Sequence, residues 1–292
     1  MKQSIAFIGL GIMGHPMAGH LLAASCDVIV HTRTPSRAQP LLDRGATWAD
    51  SPASAAAAAT VTFICVTDTP DVEAVVLGDR GILSAAKPGS IIVDHSTISP
   101  AATRRFAAAA AEKQISFLDA PVSGGDVGAK NATLSIMVGG DESAFTRAEP
   151  LLRHMGKTIT YCGLSGTGQL TKLVNQVLVS VTNLAVSEAL VFAIKNGLDP
   201  QKTITAVAGG AAGSWQLANL GPRMVKGDFA PGFMIDLQQK DLRLVMQAAS
   251  DSKTALPAAA LVHQLFTAAQ AAGRGRDGTQ ALFTVLQKLA GE

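Results

Sequence analysis

The sequence predicts an α/β chain, with an N-terminal doubly wound sheet followed by an all-α C-terminal domain. Three observations carry that reading. Short, continuously apolar runs alternate with alanine-rich stretches up to about residue 163, as parallel strands covered by helices on both faces do. After Gly168 the alternation stops, and Gln169 to Lys195 runs without a single Gly or Pro, the signature of one long helix. The chain has 292 residues, 48% hydrophobic and only 16% charged, enough apolar material for two cores.

The strands expected in order are Ser4 to Ile8, Val28 to Thr32, Val61 to Val66, Ser90 to Asp94, Ile115 to Leu118, Leu134 to Val138 and Thr158 to Tyr161. Between them, Pro35 to Arg44 and Pro100 to Lys113 open with proline beside Ser or Thr, a helix-start signal. The alanine runs at 55–59 and 107–111 fit helices packed closely on a sheet. Strand and helix in alternation imply parallel pairing. The long helix ends at Asn196-Gly197, a helix C-terminus, and further helices are expected at Pro200 to Ala208, Ile235 to Ser250, Pro257 to Ala272 and Thr279 to Leu289. The predicted domains are 1–164 and 165–292.

Composition excludes several functions. A formal net charge of +2, with Arg104-Arg105 and Arg274/Arg276 as the densest basic pairs, makes no stripe for nucleic acid or an anionic membrane. Lys2 precedes an apolar run, but glycines interrupt it before it reaches a membrane-spanning or signal length. Cys26, Cys65 and Cys162 are far apart with no metal spacing, so they are expected to be reduced and buried. The six histidines show no metal spacing either, and no metal is expected. These features together predict a soluble, unprocessed, cytoplasmic protein.

The first strand runs into Gly9-Leu10-Gly11-Ile12-Met13-Gly14 and then a helix, the context in which a GxGxxG pattern marks a dinucleotide site of the Rossmann type. Gly9 permits the tight turn, Gly11 lets backbone approach a pyrophosphate, and Gly14 lets the helix sit against the strand. The helix N-terminus then favours the anion. At the end of the second strand an NAD-preferring site carries Asp or Glu for the ribose. This chain instead reads His31-Thr32-Arg33-Thr34-Pro35-Ser36-Arg37. Guanidinium matches phosphate geometry, so Arg33, Thr34 and Arg37 predict NADP as the preferred cofactor, with NAD possible; the plain alternative is a solvated basic helix start.

Two further stretches carry chemistry. Ser123-Gly124-Gly125 closes DAPVSGG at a strand's C-terminal end, where open α/β sheets bind ligands. Bare glycines expose N–H groups to an anion and the serine adds a donor, although Ser-Gly-Gly alone is also an ordinary loop. In the long helix Lys172, Asn175 and Gln176 stand at i, i+3 and i+4 on one face, among Leu173, Val174, Val177 and Leu178. Unpaired polar groups are costly to bury, though a lysine can also snorkel to solvent.

GLGIMGHPMAGHLL at 9–22, DHSTISP at 94–100, DAPVSGG at 119–125, GTGQLTKLVNQ at 166–176 and PGFMIDLQQKDL at 231–242 resemble, in the expected order, the β-hydroxyacid dehydrogenases that include 3-hydroxyisobutyrate dehydrogenase. The resemblance implies that Lys172 is the catalytic lysine and that Asn175 and Gln176 hold substrate and orient it. It further implies a carboxylate cradle at Ser123, Gly124 and Gly125, an apolar wall from Phe233, and a cofactor site that adds Val66, Thr97 and Lys240 to the glycine loop. Without it, Lys240-Asp241 reads as a solvated helix face. His15 and His20 receive no role.

The implied reaction is hydride transfer between a nicotinamide and a small carboxylic acid substrate. Gly209-Gly210-Ala211-Ala212-Gly213-Ser214 and the KLVNQ ending lean toward the 2-hydroxy-3-oxopropionate (tartronate semialdehyde) reductase branch, and Trp215 is a further departure from the hydroxyisobutyrate pattern. Glyoxylate or succinic semialdehyde reductases need a similar cradle, whereas imine reductases generally lack the lysine. A non-catalytic NADP-binding interaction module is expected to have lost Lys172 or the cradle. The apolar long helix predicts a homodimer or homotetramer.

Overall fold

The computed structural model describes residues 3–291; the reading placed on Lys2 lies outside them. Nine strands form one sheet: β1 (Ser4–Ile8), β2 (Asp27–His31), β3 (Thr47–Trp48), β4 (Val61–Ile64), β5 (Ile91–Asp94), β6 (Ser116–Asp119), β7 (Val122–Ser123), β8 (Leu134–Gly139) and β9 (Gly156–Gly163). Their order is β3-β2-β1-β4-β5-β6-β8-β7, with β9 on β8. From β3 across to β6 every pairing is parallel. The chain reverses direction across the sheet between β1 and β4, which leaves a crevice at the strands' C-terminal ends.

The parallel rule breaks at one place. β8 runs antiparallel to β6 and β7 and parallel to β9. The link from β7 to β8 is a turn around the short helix Gly125–Lys130, too short for the crossover that parallel neighbours need. β3 and β7 were not expected from the sequence. Each is two residues long, below the length at which apolar alternation speaks.

The strands are continuously apolar because both faces are covered. Phe7, Val61, Phe63, Ile91, Val93 and Leu118 belong to one core, while Ile8, Ile64, Ile92, Phe106 and Phe117 belong to another. Helices start where the sequence signals them. Ser99 accepts from the Ala102 N–H ahead of Pro100–Ala111, and Asp199 accepts from Lys202 ahead of Pro200–Ala208. Such caps contribute about 1 kcal/mol each. Pro35 to Arg44 resolves into a short 3-10 turn and the helix Gln39–Leu42.

The chain divides into two compact units, one running through Lys172 and the other starting at Leu173. Among the described residues the second unit is helical apart from one isolated bridge, Met234 to Gly278. Its cores gather Leu184, Ile235, Leu242, Val262, Phe266 and Leu282 in one cluster and Val186, Leu190, Ile204, Met224 and Phe283 in another. Helices Trp215–Asn219 and Gly221–Val225 are too short, at five residues each, to signal themselves. The helix Thr167–Lys195 is long and apolar enough to cross a membrane by length and composition, with a mean hydropathy of 2.0 over its most apolar stretch. One side of it is buried, at Leu173, Leu184, Leu190 and Ala193, while Val174, Leu178 and Phe192 are exposed. The cysteines correct one expectation, since all three are free but only half-buried. Cys26 precedes β2, Cys65 follows β4, and Cys162 lies on β9, the sheet's outer strand, places that leave a side chain partly open.

Candidate active site

The glycine loop leaves β1 at its C-terminal end, and each glycine meets a different demand. Gly9 has φ +97°, and a Cβ there would lie 2.2 Å from the Cys65 carbonyl oxygen at the end of β4. At Gly14 a Cβ would lie 2.0 Å from the Gly9 oxygen, so only glycine lets the helix Gly14–Ala23 press onto the turn. A Cβ on Gly11 would meet nothing within 4 Å. A tight turn, an open bare backbone and a helix N-terminus with no side-chain cap fit a dinucleotide's pyrophosphate. Leu10 is buried, Ile12 exposed and Met13 half-buried.

Arg33, Thr34 and Arg37 are all exposed just beyond β2. Arg33 pairs with Asp71 at 3.0 Å with its side chain 82% exposed. An ion pair that open is worth little, so the guanidinium is available to a stronger anion.

Two loops follow β5 and β6 at the same edge. His95 is buried, lies parallel to Phe63 with ring centroids 5.6 Å apart, and donates from Nδ1 to the Ala120 carbonyl at 2.7 Å. Burial pushes its pKa down to about 4, so the ring is neutral at physiological pH. Ser96 accepts the Val66 N–H on its hydroxyl at 2.9 Å, tying the loop that carries Thr97 to the end of β4. Past β6, Gly124 and Gly125 have φ of +133° and +61°, values that L side chains rarely adopt. Two successive positive φ values turn the main chain sharply after Ser123, whose side chain is half-buried.

Asp119 closes β6 with its carboxylate inside the fold. Oδ1 accepts from the Gly166 N–H at 2.8 Å and Oδ2 from the Gln169 N–H at 2.9 Å. Burial raises its pKa, and these hydrogen bonds pull the other way. Sequence reading passed over Asp119, Gln169 and His95. The signal available was an acidic residue ending an apolar strand and an amide opening an apolar helix, either of which is common for capping alone.

Lys172 is buried, at 7% exposure, one turn into the helix Thr167–Lys195. It belongs to the same unit as the glycine loop and the turn at Ser123-Gly124-Gly125. Asn175 and Gln176 follow in the second unit, joined from Asn175 Nδ2 to Gln176 Oε1 at 2.8 Å. Gln176 Nε2 donates to Asp241 Oδ2 at 2.5 Å, and Asp241 Oδ1 lies 2.8 Å from Lys240 Nζ. Both amide ends of Gln176 therefore engage protein. Lys240 is only 13% exposed, unlike a solvated helix face. Phe233 is half-buried and its carbonyl accepts the Thr279 N–H.

The arrangement provides an anion-binding turn, a second bare-backbone turn, and a buried amine carried by one unit. Residues 4–163 match the NAD-binding domain of 6-phosphogluconate dehydrogenase, and residues 166–286 match the NAD-binding domain of NADP-dependent 3-hydroxyisobutyrate dehydrogenase. The 2-hydroxy-3-oxopropionate reductase of Escherichia coli is 45% identical over 99% of this chain and 98% of its own. A Mycobacterium tuberculosis 3-hydroxyisobutyrate dehydrogenase structure with L-serine superposes with TM-score 0.90 at 34% identity, covering 98% of this chain and all of its own. A second structure, Psf3 in complex with NADP+ and 2-OPP, gives TM-score 0.89 at 29% identity over 97% of this chain and 99% of its own. The chain belongs to the 3-hydroxyisobutyrate dehydrogenase family, NAD(P)-dependent oxidoreductases of β-hydroxy acids that act on CH–OH groups.

Proposed function

We propose that the protein reduces a short aldehyde acid with NADPH, and that 2-hydroxy-3-oxopropionate is its substrate. The observation that carries the reading is the amine of Lys172, buried in the unit that also holds the double-glycine turn after Ser123. The similarity to the E. coli reductase favours that acid over other short ones.

A nicotinamide cofactor held by the glycine loop would supply the hydride that the aldehyde carbon takes up. Everything else falls to the chain. Backbone N–H groups at Gly124 and Gly125 and the Ser123 hydroxyl hold the carboxylate; hydrogen bonds to a charged group are worth about 1.5–3 kcal/mol each, enough to select an acid over an alcohol. Negative charge grows on the carbonyl oxygen, and the Lys172 ammonium stabilises it and then gives it a proton. Asn175 holds the substrate on the same helix face, with Gln176 fixing its amide. Phe233 supplies an apolar wall, and Lys240, oriented by Asp241, serves the cofactor.

The NADP preference rests on Arg33, Thr34 and Arg37, exposed beyond β2 in a stretch, 31–37, that carries no Asp or Glu. Within a soluble, cytoplasmic enzyme, exposed Val174, Leu178 and Phe192 on the long helix favour a homodimer or homotetramer.

The test is a panel of short aldehyde acids, each assayed with NADPH and with NADH. The expected result is the highest kcat/KM for 2-hydroxy-3-oxopropionate, with NADPH at least tenfold better than NADH. Preference for 2-methyl-3-oxopropanoate, glyoxylate or succinic semialdehyde would replace the substrate, and equal use of both cofactors would remove the role of Arg33. Cofactor binding with no turnover of any acid would leave an NADP-binding interaction module.

A further inference from the structure

The first turn of the long helix departs from ordinary capping. In a capping box, a Gln at the third helical position reaches back to the N–H just before the helix. The helix starts at Thr167, so Gln169 is that residue and Gly166 supplies that N–H. Here the Gly166 N–H is taken by Asp119, and the Gln169 side chain is released for another use. Its Nε2 donates to the Ser96 carbonyl at 2.7 Å and its Oε1 accepts the Ile98 N–H at 3.1 Å. Both ends of one amide thus grip the backbone on either side of Thr97. The Gln169 N–H meanwhile donates to Asp119, four residues ahead of Ser123 on the same chain segment.

Gln169 is fully buried, and its amide spans to residues more than seventy positions away in sequence. Helix stability alone does not ask for this, because Asp119 already satisfies the helix start. Nor does the space around it leave slack. A Cβ on Gly168 would lie 2.4 Å from the Met137 oxygen and 2.9 Å from Asp119 Oδ2, and one on Gly139 would lie 2.8 Å from Asp119 Oδ1. Lys172 stands three residues beyond Gln169, on the same helix face.

We propose that Gln169 is a positioning residue that locks the Thr97 loop and the cradle-bearing strand to the helical turn carrying Lys172, and so sets the spacing between hydride donor, acid group and proton donor. The proposal rests on the reading of Lys172 given above. Misplacement of reacting groups by about 1 Å costs on the order of 10²-fold in rate, so a clamp at this junction reports on catalysis as well as on folding.

The test compares Q169L, which keeps the bulk and loses both hydrogen bonds, with Q169E, which still accepts from Ile98 but cannot donate to Ser96. Three readouts are taken on the full chain: thermal stability, NADPH affinity by cofactor fluorescence, and kcat with NADPH carrying hydrogen or deuterium at the transferred position. For Q169L the expected result is folded protein, NADPH binding weakened about tenfold, kcat lowered about 10- to 100-fold and an altered isotope effect. Q169E should fall between Q169L and the parent. Unchanged NADPH affinity and isotope effect in both variants overturn the proposal, as does a loss of stability alone. Lys172→Ala is run in parallel. Undiminished turnover there overturns the lysine reading and the catalytic half of this proposal, whereas unchanged NADPH affinity and isotope effect in the Gln169 variants overturn the clamp itself.

Discussion

The two units bury polar groups in contrasting ways. In the first, Asp94, His95, Ser96, Asp119 and Gln169 are buried around the C-terminal ends of β5 and β6, and their hydrogen bonds hold the loops there. In the second, Gln176, Ser180, Asn183 and Ser187 are buried at helical spacing along one side of the long helix. Ser180 and Ser187 turn back onto carbonyls four residues earlier, and Asn183 reaches the Thr279 carbonyl. Strand-end polar groups thus shape loops that face a ligand edge, whereas the helical stripe satisfies itself or a neighbouring helix. Burial of a polar residue therefore carries a different meaning in each unit. Location relative to the sheet edge decides which.

The largest expected effect tests the contrast at its boundary, since Lys172 begins the helical stripe yet ends the first unit. Lys172→Ala should lower kcat by about 10²–10⁴-fold, the usual worth of a positioned proton donor. NADPH affinity should stay within about twofold, and thermal stability should not fall. Steady-state kinetics beside a fluorescence titration separate these quantities. If the variant loses stability and keeps its rate, Lys172 belongs with the structural stripe and the division drawn above is misplaced.

Legibility followed the same line. The glycine loop, the turn after Ser123 and the long helix were readable because each couples a backbone demand to a residue type: φ of +97° at Gly9, paired positive φ at Gly124 and Gly125, and an unbroken run from Gln169 to Lys195. A role for Lys172 was suggested only by family motifs, since a lone lysine on an apolar helix is ordinary in itself. Gln169 and Asp119 stayed hidden because their meaning lies in partners distant in sequence, Ser96 and Ile98 for one and Gly166 for the other. The reversal of β8 was hidden for a similar reason. It depends on the reach of the link after β7, which no apolar pattern records.

A smaller effect, on stability and its pH dependence, comes from His95. Its pKa in the fold is about 4, against an ordinary 6.5, and its Nε2 is buried without a partner. Above pH 6.5 the ring is neutral whether the chain is folded or not, and it contributes no pH dependence. As pH falls below 6.5 the unfolded chain takes up a proton that the fold refuses. Stability should drain down to about pH 4, by on the order of 3 kcal/mol. Asp119, with its raised pKa, acts in the opposite sense and only at the acid end. His95→Gln keeps a donor for Ala120 and removes the titration. Urea denaturation between pH 7 and pH 4 should give a shallower slope for the variant; identical slopes would show that His95 is not the group being refused its proton.

The smallest effect lies in the helical stripe. Asn183 Nδ2 donates to the Thr279 carbonyl at 2.7 Å, while its own Oδ1 is buried without a partner. Replacing it with alanine strands the carbonyl but also removes the orphaned oxygen, so the two costs partly cancel. A buried group left unpaired costs about 1–3 kcal/mol. The net loss for Asn183→Ala should therefore sit near the lower end, about 1 kcal/mol, measured as a shift in denaturation midpoint at unchanged slope. The kcat/KM should stay within twofold, because Asn183 lies three turns beyond Lys172 and its amide hydrogen bond goes to the second unit alone. A tenfold drop in kcat/KM at preserved stability would mean that the stripe transmits position to the catalytic turn, and the two ways of burying polar groups would merge into one.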